Sequence, residues 1–173
     1  MSRPIKKGSM KQKIIIVDKK DNVIGYKDRD ALSHDDIYRV SALWITNSKG
    51  DILLAKRALT KSHNPGQWGP SVAGTVEKEE SYESNIIKEA EEEIGLKSIA
   101  PQAGPKGRVS GKFNHFTQWY FFKIDKSEKE FVVDKNEVDE IKWFSKAELK
   151  QEMQINPDKF LKSLKKWVEA FCS

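Results

Sequence analysis

The alternation of apolar and polar positions divides the chain into short strands, one well-marked amphipathic helix and a helical C-terminal end. Residues 13–18 (KIIIVD) are an apolar, β-branched run, and residues 22–27 follow after Lys-Lys-Asp, which predicts a hairpin. Residues 39–46 (RVSALWIT) and 51–57 (DILLAKR) flank a polar turn ending in Gly50 and predict a second one. Residues 58–69, with Pro65, Gly66 and Gly69, read as loop, and 71–76 as a brief strand. Tyr82, Ile86, Ala90 and Ile94 recur at four-residue spacing with Ile87 beside them, so residues 81–94 predict a helix, Ser81 its N-cap and Gly95 its stop. Strands are expected at 116–124 and 140–144 and a short helix at 146–153. A last helix from Pro157 would carry Phe160, Leu164, Trp167, Val168 and Phe171 on one stripe. Strands, an inserted helix, then more strands and helices make one α/β domain with a mixed sheet.

Charge changes this picture less than its total suggests. The net charge is +5, but Arg3, Lys6, Lys7, Lys11 and Lys13 supply five positive charges before the first acid, so the remainder balances to zero. A nucleic-acid-binding domain concentrates basic charge on a folded face; here the excess lies on residues 1–12, expected to be a flexible tail ahead of a single domain at 13–173. Gly8-Ser9-Met10 has the form of a junction before a start methionine, so part of that tail is expected to be vector-derived. No apolar run approaches the roughly 20 residues of a membrane span, no apolar stretch follows the N-terminal basic residues, and the single Cys172 excludes an internal disulfide framework. A cytoplasmic protein is expected.

The chemistry sits in residues 74–96, GTVEKEESYESNIIKEAEEEIGL. An acidic run is usually a solvated helix face, but Glu89, Glu92 and Glu93 stand at i, i+3 and i+4 and converge on one patch, where like charges repel. Such a cluster suits a divalent cation, and ligands that are all oxygen select Mg²⁺ or Mn²⁺ over zinc. Gly74, just before the helix, allows close backbone approach and offers its carbonyl as a further ligand. Cations held this way bridge phosphate oxygens and lower the pKa of an attacking water.

The same residues resemble the Nudix box: Gly, five residues, Glu, seven residues, Arg-Glu, aliphatic, any, Glu-Glu, any, Gly, aliphatic. Gly74, Glu80, Glu89, Glu92, Glu93, Gly95 and Leu96 fall in register. With each residue type at ~7% of positions, six Gly/Glu matches arise by chance on the order of 10⁻⁵ per chain, and roughly tenfold more often in a Glu-rich one. Lys88 replaces the usual arginine and loses its planar fork; Ala90 replaces a larger aliphatic residue. Residues 57–61 (RALTK), 65–68 (PGQW), 71–74 (SVAG), Glu137-Val138 and Trp143 are similar to the isopentenyl-diphosphate isomerase branch of the superfamily.

The resemblance implies a Nudix-like α/β/α sandwich with a mixed central sheet and a MutT-like pyrophosphohydrolase acting on acid anhydrides. Glu89, Glu92, Glu93 and the Gly74 carbonyl would hold Mg²⁺ or Mn²⁺. Catalysis would fall to Glu92, Glu93 and Glu137, with Glu93 and Glu137 both candidates to activate water. Arg57 and Lys61 would grip substrate phosphate, or serve as ordinary surface charge. Trp68, in the neighbouring loop, is placed either to stack on a base or to pack. Glu80, Lys88 and Gly95 would be structural. The isomerase also needs a cysteine before the box glycine and a histidine after it, where this chain has Ala73 and Thr75; its later glutamates fall near His115 and Thr117. The expectation is therefore hydrolysis of a diphosphate linkage in a nucleoside diphosphate derivative or similar small metabolite. An isomerase and an idle nucleotide-binding module are the alternatives. The partner expected is that small substrate, taken by a monomer or homodimer, with no nucleic-acid polymer and no membrane. His34, His63 and His115 form no ligand pair and read as structural.

Overall fold

The computed structural model describes residues 12–173. The expected tail lies outside them except for Gln12, whose backbone and side-chain oxygens accept hydrogen bonds from Arg29. Strands β1 (Lys13–Val17) and β2 (Val23–Asp28) form the first hairpin, turned by the Asp18 carboxylate, which accepts from the backbone N–H groups of Lys20 and Asn22. Strand β3 (Ile37–Thr46) pairs with the start of the sheet through β1 and with β4 (Ile52–Arg57) through the second expected hairpin. Strands β5 (Trp68–Pro70) and β6 (Val72–Thr75) are a split pair: β5 joins β4, and β6 joins β3. Helix α1 (Tyr82–Ile94) follows, then β7 (Gln102–Val109), β8 (His115–Lys123) and β9 (Val138–Phe144), and last α2 (Lys146–Ile155) and α3 (Leu164–Phe171). β8 runs parallel to β3 from Tyr38↔His115 to Thr46↔Lys123, and the other strand pairs are antiparallel, so the nine-stranded sheet is mixed.

Alternate residues of β3 face opposite layers, as the two-residue period of a strand requires. Leu43 and Ile45 join Leu53, Val72, Ile86, Ala90 and Ile94 under α1, while Ala42 and Trp44 join Trp119, Leu149, Leu164, Trp167 and Val168 under α2 and α3. This is an α/β/α sandwich. α1 is capped as expected, with Ser81 Oγ accepting from Ser84 N and Gly95 left-handed at φ 73°. A cap contributes about 1 kcal/mol, whereas Ile86 and Ile94, both fully buried, contribute roughly 1.5–3 kcal/mol each. Contact with the sheet, more than the caps, holds α1.

Two expectations need correction. The last helix does not start at Pro157: residues Pro157–Lys159 make a 3₁₀ turn, Phe160 bridges to Trp68, and Leu161 N donates to Trp68 O at 2.9 Å. The stripe from Phe160 to Val168 is still buried, but its first part packs as extended chain. The loop expected at 58–69 ends early, because Trp68 and Gly69 already belong to β5.

Candidate active site

The loop after β6 carries the chain from Thr75 into α1, and two side chains of the helix tie it down. Buried Asn85 donates from Nδ2 to Thr75 O at 3.1 Å and to Glu80 Oε2 at 3.0 Å. Lys88 Nζ lies 2.9 Å from Glu80 Oε1, 3.6 Å from Glu77 and 3.7 Å from Glu89 Oε1. Without a guanidinium fork, Lys88 still reaches three carboxylates as a single point charge.

Gly74 and Glu89 fit one another. A Cβ at Gly74 would stand 2.7 Å from Glu89 Cδ and 2.9 Å from its Oε1. The missing side chain is therefore what seats the Glu89 carboxylate against the end of β6. One turn on, Glu93 hydrogen-bonds to Glu89 and faces Glu137 of the loop before β9. Burial pushes the Glu89 carboxyl up to about 7, against the pull of Lys88 and with a further push from Glu92. Burial also raises Glu93, helped by the charges of Glu89 and Glu137 and opposed by Lys61, well above the usual carboxylate range. Burial and mutual repulsion thus favour a shared proton over two charges in this pair.

The structure brings Glu89, Glu93, Glu137, Lys61 and Gly74 together. Lys61 Nζ is 2.6 Å from Glu137 Oε2, so a predicted phosphate ligand and a predicted catalytic acid form one ion pair. Glu92 stands on the exposed side of α1, and among the described residues no three His, Cys, Asp or Glu side chains are set as metal ligands in their present orientations. Arg57 ends β4 and donates from Nε to His63 O at 3.0 Å, within its own loop. Of the two expectations for Trp68 the structure favours packing: it is only 9% exposed and edge-on to Phe144 at 5.2 Å in the α2/α3 core.

Sequence reasoning passed over two groups. Asn85 lies on the buried stripe of α1, three residues after Tyr82, and a polar residue at that spacing was the available signal. Asp21, in the β1–β2 turn, accepts from Arg39 Nε at 2.7 Å, Lys106 Nζ at 2.7 Å and Tyr82 OH at 3.0 Å, and so anchors the start of α1 to β3 and β7. Its partners lie 18 to 85 residues away, beyond any local pattern.

A model of the NUDIX domain matches residues 37–164, and the chain belongs to the Nudix family. It is 27% identical over 166 residues to an isopentenyl-diphosphate Delta-isomerase of Photorhabdus laumondii, covering 91% of this chain and 90% of that one. It is 28% identical over 160 residues to an uncharacterized Nudix hydrolase of Yersinia pestis, covering 88% and 84%. Among solved structures, DR0079 from Deinococcus radiodurans superposes with a TM-score of 0.77 at 23% identity over 92% of this chain and 98% of that one. A MutT protein from Methanosarcina mazei gives 0.65 at 19% over 78% and 92%. These two likenesses establish the fold. Among the described residues no helix is long and apolar enough to cross a membrane.

Proposed function

We propose that this chain is a Nudix hydrolase that cleaves the phosphoanhydride of a nucleoside diphosphate derivative or similar small metabolite with Mg²⁺ or Mn²⁺. The observation that carries the reading is the Glu89 carboxylate lodged in the space left by Gly74, with Glu93 bonded to it and Glu137 opposite. These donors are all oxygen and two of them hold a proton that a cation would displace, which fits a hard divalent ion. Glu89, Glu93 and the Gly74 carbonyl would hold it, with Glu92 joining by a change of rotamer. When bound, it would neutralise phosphate oxygens and make water more acidic.

The chain's own residues supply the rest. Glu93 or Glu137 takes the proton as the water oxygen bonds to phosphorus, the bridging P–O bond breaks, and the leaving phosphate carries away the electron pair. Lys61, and Arg57 once it leaves His63 O, meet the substrate phosphates. The likeness to an isopentenyl-diphosphate isomerase favours a second reading, proton transfer at carbon. Ala73 and Thr75, on either side of Gly74, supply neither a strong acid nor an imidazole for it.

The test is a panel of nucleoside diphosphate derivatives and prenyl diphosphates with Mg²⁺ and Mn²⁺, followed by ³¹P NMR. Cation-dependent cleavage of at least one compound is expected, lowered by orders of magnitude in Glu93→Gln with the circular dichroism spectrum unchanged. Comparison with Glu137→Gln identifies the proton acceptor. Solvent deuterium entering isopentenyl diphosphate, or full turnover by Glu93→Gln, would overturn the reading.

A further inference from the structure

Helix α1 ends with carbonyls that its own backbone does not satisfy, and one of them is taken by the loop that brings Glu137 to the site. The last four C=O groups of any helix lack an intrahelical N–H. In α1 the Gly95 and Leu96 N–H groups return to Glu91 O and Ala90 O. The carbonyl of Glu93 is satisfied from outside, by Asp134 N at 2.8 Å. Two residues earlier the same β8–β9 loop crosses the left-handed turn at Gly95, where a Cβ would stand 2.8 Å from Val132 Cβ and 3.1 Å from Val132 O. The loop is therefore docked on the very residue whose carboxylate faces Glu137.

Asp134 uses its other groups to turn the chain. Its Oδ1 accepts from Asn136 N at 3.0 Å, the two-residue reach of an Asx turn. Its carbonyl accepts from Glu137 N at 3.0 Å and from Val138 N at 2.8 Å. The Glu137 backbone is thus held by Asp134 on one side and on the other by Ala58 N, which donates to Glu137 O at 3.0 Å from the loop that also carries Lys61. From this frame the Glu137 carboxylate meets Lys61 Nζ at 2.6 Å and faces Glu93.

Packing fixes the ends of the loop but not its middle. Phe131 and Val138 are buried in the core under α1, whereas residues 134–137 are half-buried or exposed. Asp134 takes part in four of the hydrogen bonds that hold this middle stretch. A turn that served only to reverse the chain would need no bond to α1. Here one is required, because Glu93 and Glu137 repel each other, and their approach has to be imposed by the backbone.

We propose that Asp134 is a positioning residue, whose turn sets the Glu137 carboxylate against Glu93 and Lys61 and which acts on the site only through Glu137. Its consequence for catalysis rests on the hydrolase reading, and the test separates the two. Asp134→Ala removes the Asx turn while Phe131 and Val138 keep the loop anchored, and Asp134→Asn retains an oxygen to accept from Asn136 N. Lysine ammonium ¹H–¹⁵N spectra follow the Lys61–Glu137 pair without turnover, with Lys61→Arg assigning the signal. That signal should be slow to exchange in wild type and in Asp134→Asn, and shifted or lost in Asp134→Ala and in Glu137→Gln. Rates are then measured with the compound of the diphosphate panel that wild type cleaves best. In Asp134→Ala, kcat should fall roughly tenfold to a hundredfold, the scale of a misplacement of about 1 Å. KM and the circular dichroism spectrum should stay near wild type, and Asp134→Asn should recover the rate. Added to Glu137→Gln, Asp134→Ala should cost nothing further, since residues that act as a unit are not additive. A Lys61 signal that follows Asp134, with no diphosphate cleaved, leaves the positioning role standing and removes the hydrolase. An unchanged Lys61 signal in Asp134→Ala, losses that multiply in the double variant, wild-type kcat in Glu137→Gln, or an Asp134→Asn protein as impaired as Asp134→Ala would overturn the role.

Discussion

Gly74 and Glu89 occupy a volume that only one side chain can fill, and that exclusion sets the geometry of the site. Gly74→Ala would put a methyl 2.7 Å from Glu89 Cδ. The obstructed group is a flexible side chain and Gly74 is not among the residues of positive φ, so the backbone has no reason to move and the carboxylate is displaced instead. The expected result is a melting temperature close to wild type with activity reduced roughly a hundredfold, the scale of a misplacement of about 1 Å. A Gly74→Ala protein with normal turnover in a phosphate-release assay would show that Glu89 does not work from this seat. At this scale the Glu89–Glu93 neighbours were legible because helix spacing brings i and i+4 together, while Glu92, at i+3, stands on the exposed side of the helix. Trp68 stayed ambiguous, since its partners Phe144 and Phe160 come from segments 76 and more residues away. The Lys61–Glu137 pair, also 76 residues apart, was legible only as two separate residues suggested by resemblance.

Helix α1 announces both its ends, and each end can be tested. Ser81→Ala removes the capping box and should cost about 1 kcal/mol, seen as a fall of roughly 2–4 °C in melting temperature for a chain of this size. Gly95→Ala forces a methyl into the left-handed region, about 1–2 kcal/mol, and sets it 2.8 Å from Val132 Cβ, so its loss should be the larger of the two. Thermal melts in which Ser81→Ala proves the more damaging would contradict this account of the two ends. Strand β7 shows the opposite behaviour, because its sequence QAGPKGRV reads as loop. It is a strand by virtue of its neighbours. Pro105 falls in the register shift between Ala103 and Lys106, where no ladder donor is needed. Gly104 and Gly107 make room for Phe121 and Trp167, whose rings would lie 2.5 and 2.7 Å from a methyl at either position. The late start of α3 has the same kind of cause, since Trp68 O takes the N–H of Leu161. Local patterns identify elements that hold themselves together, and miss those made by their partners.

For the whole molecule, the Glu89–Glu93 carboxyl pair and His115 respond to pH in opposite directions. Burial lowers His115 from 6.5 to about 4, so its contribution is complete above about pH 6.5 and is lost as pH falls through 4. Glu89 runs the other way. Raised from 4.5 to about 7, it contributes fully below pH 4.5 and loses that contribution as pH rises through 7. A shift of this size corresponds to about 3 kcal/mol for a side chain only 17% exposed. Glu93, raised further still, adds to the Glu89 trend, so the wild-type melting temperature should decline as pH rises from 6.5 toward 8. Glu89→Gln removes its own titration and the charge that helps raise Glu93, and leaves that of His115. Its melting temperature, relative to wild type, should therefore climb from pH 5 to pH 8, by several degrees at roughly 2–4 °C per kcal/mol. On the proposed metal site, Mg²⁺ would bind the deprotonated carboxylates and should raise the wild-type melting temperature more at pH 8 than at pH 5, and do little for Glu89→Gln. Melts at fixed ionic strength with EDTA or Mg²⁺ decide the matter. Parallel wild-type and Glu89→Gln curves would mean that Glu89 titrates no differently folded than unfolded, and a Mg²⁺ effect independent of pH would place the cation away from the Glu89–Glu93 pair.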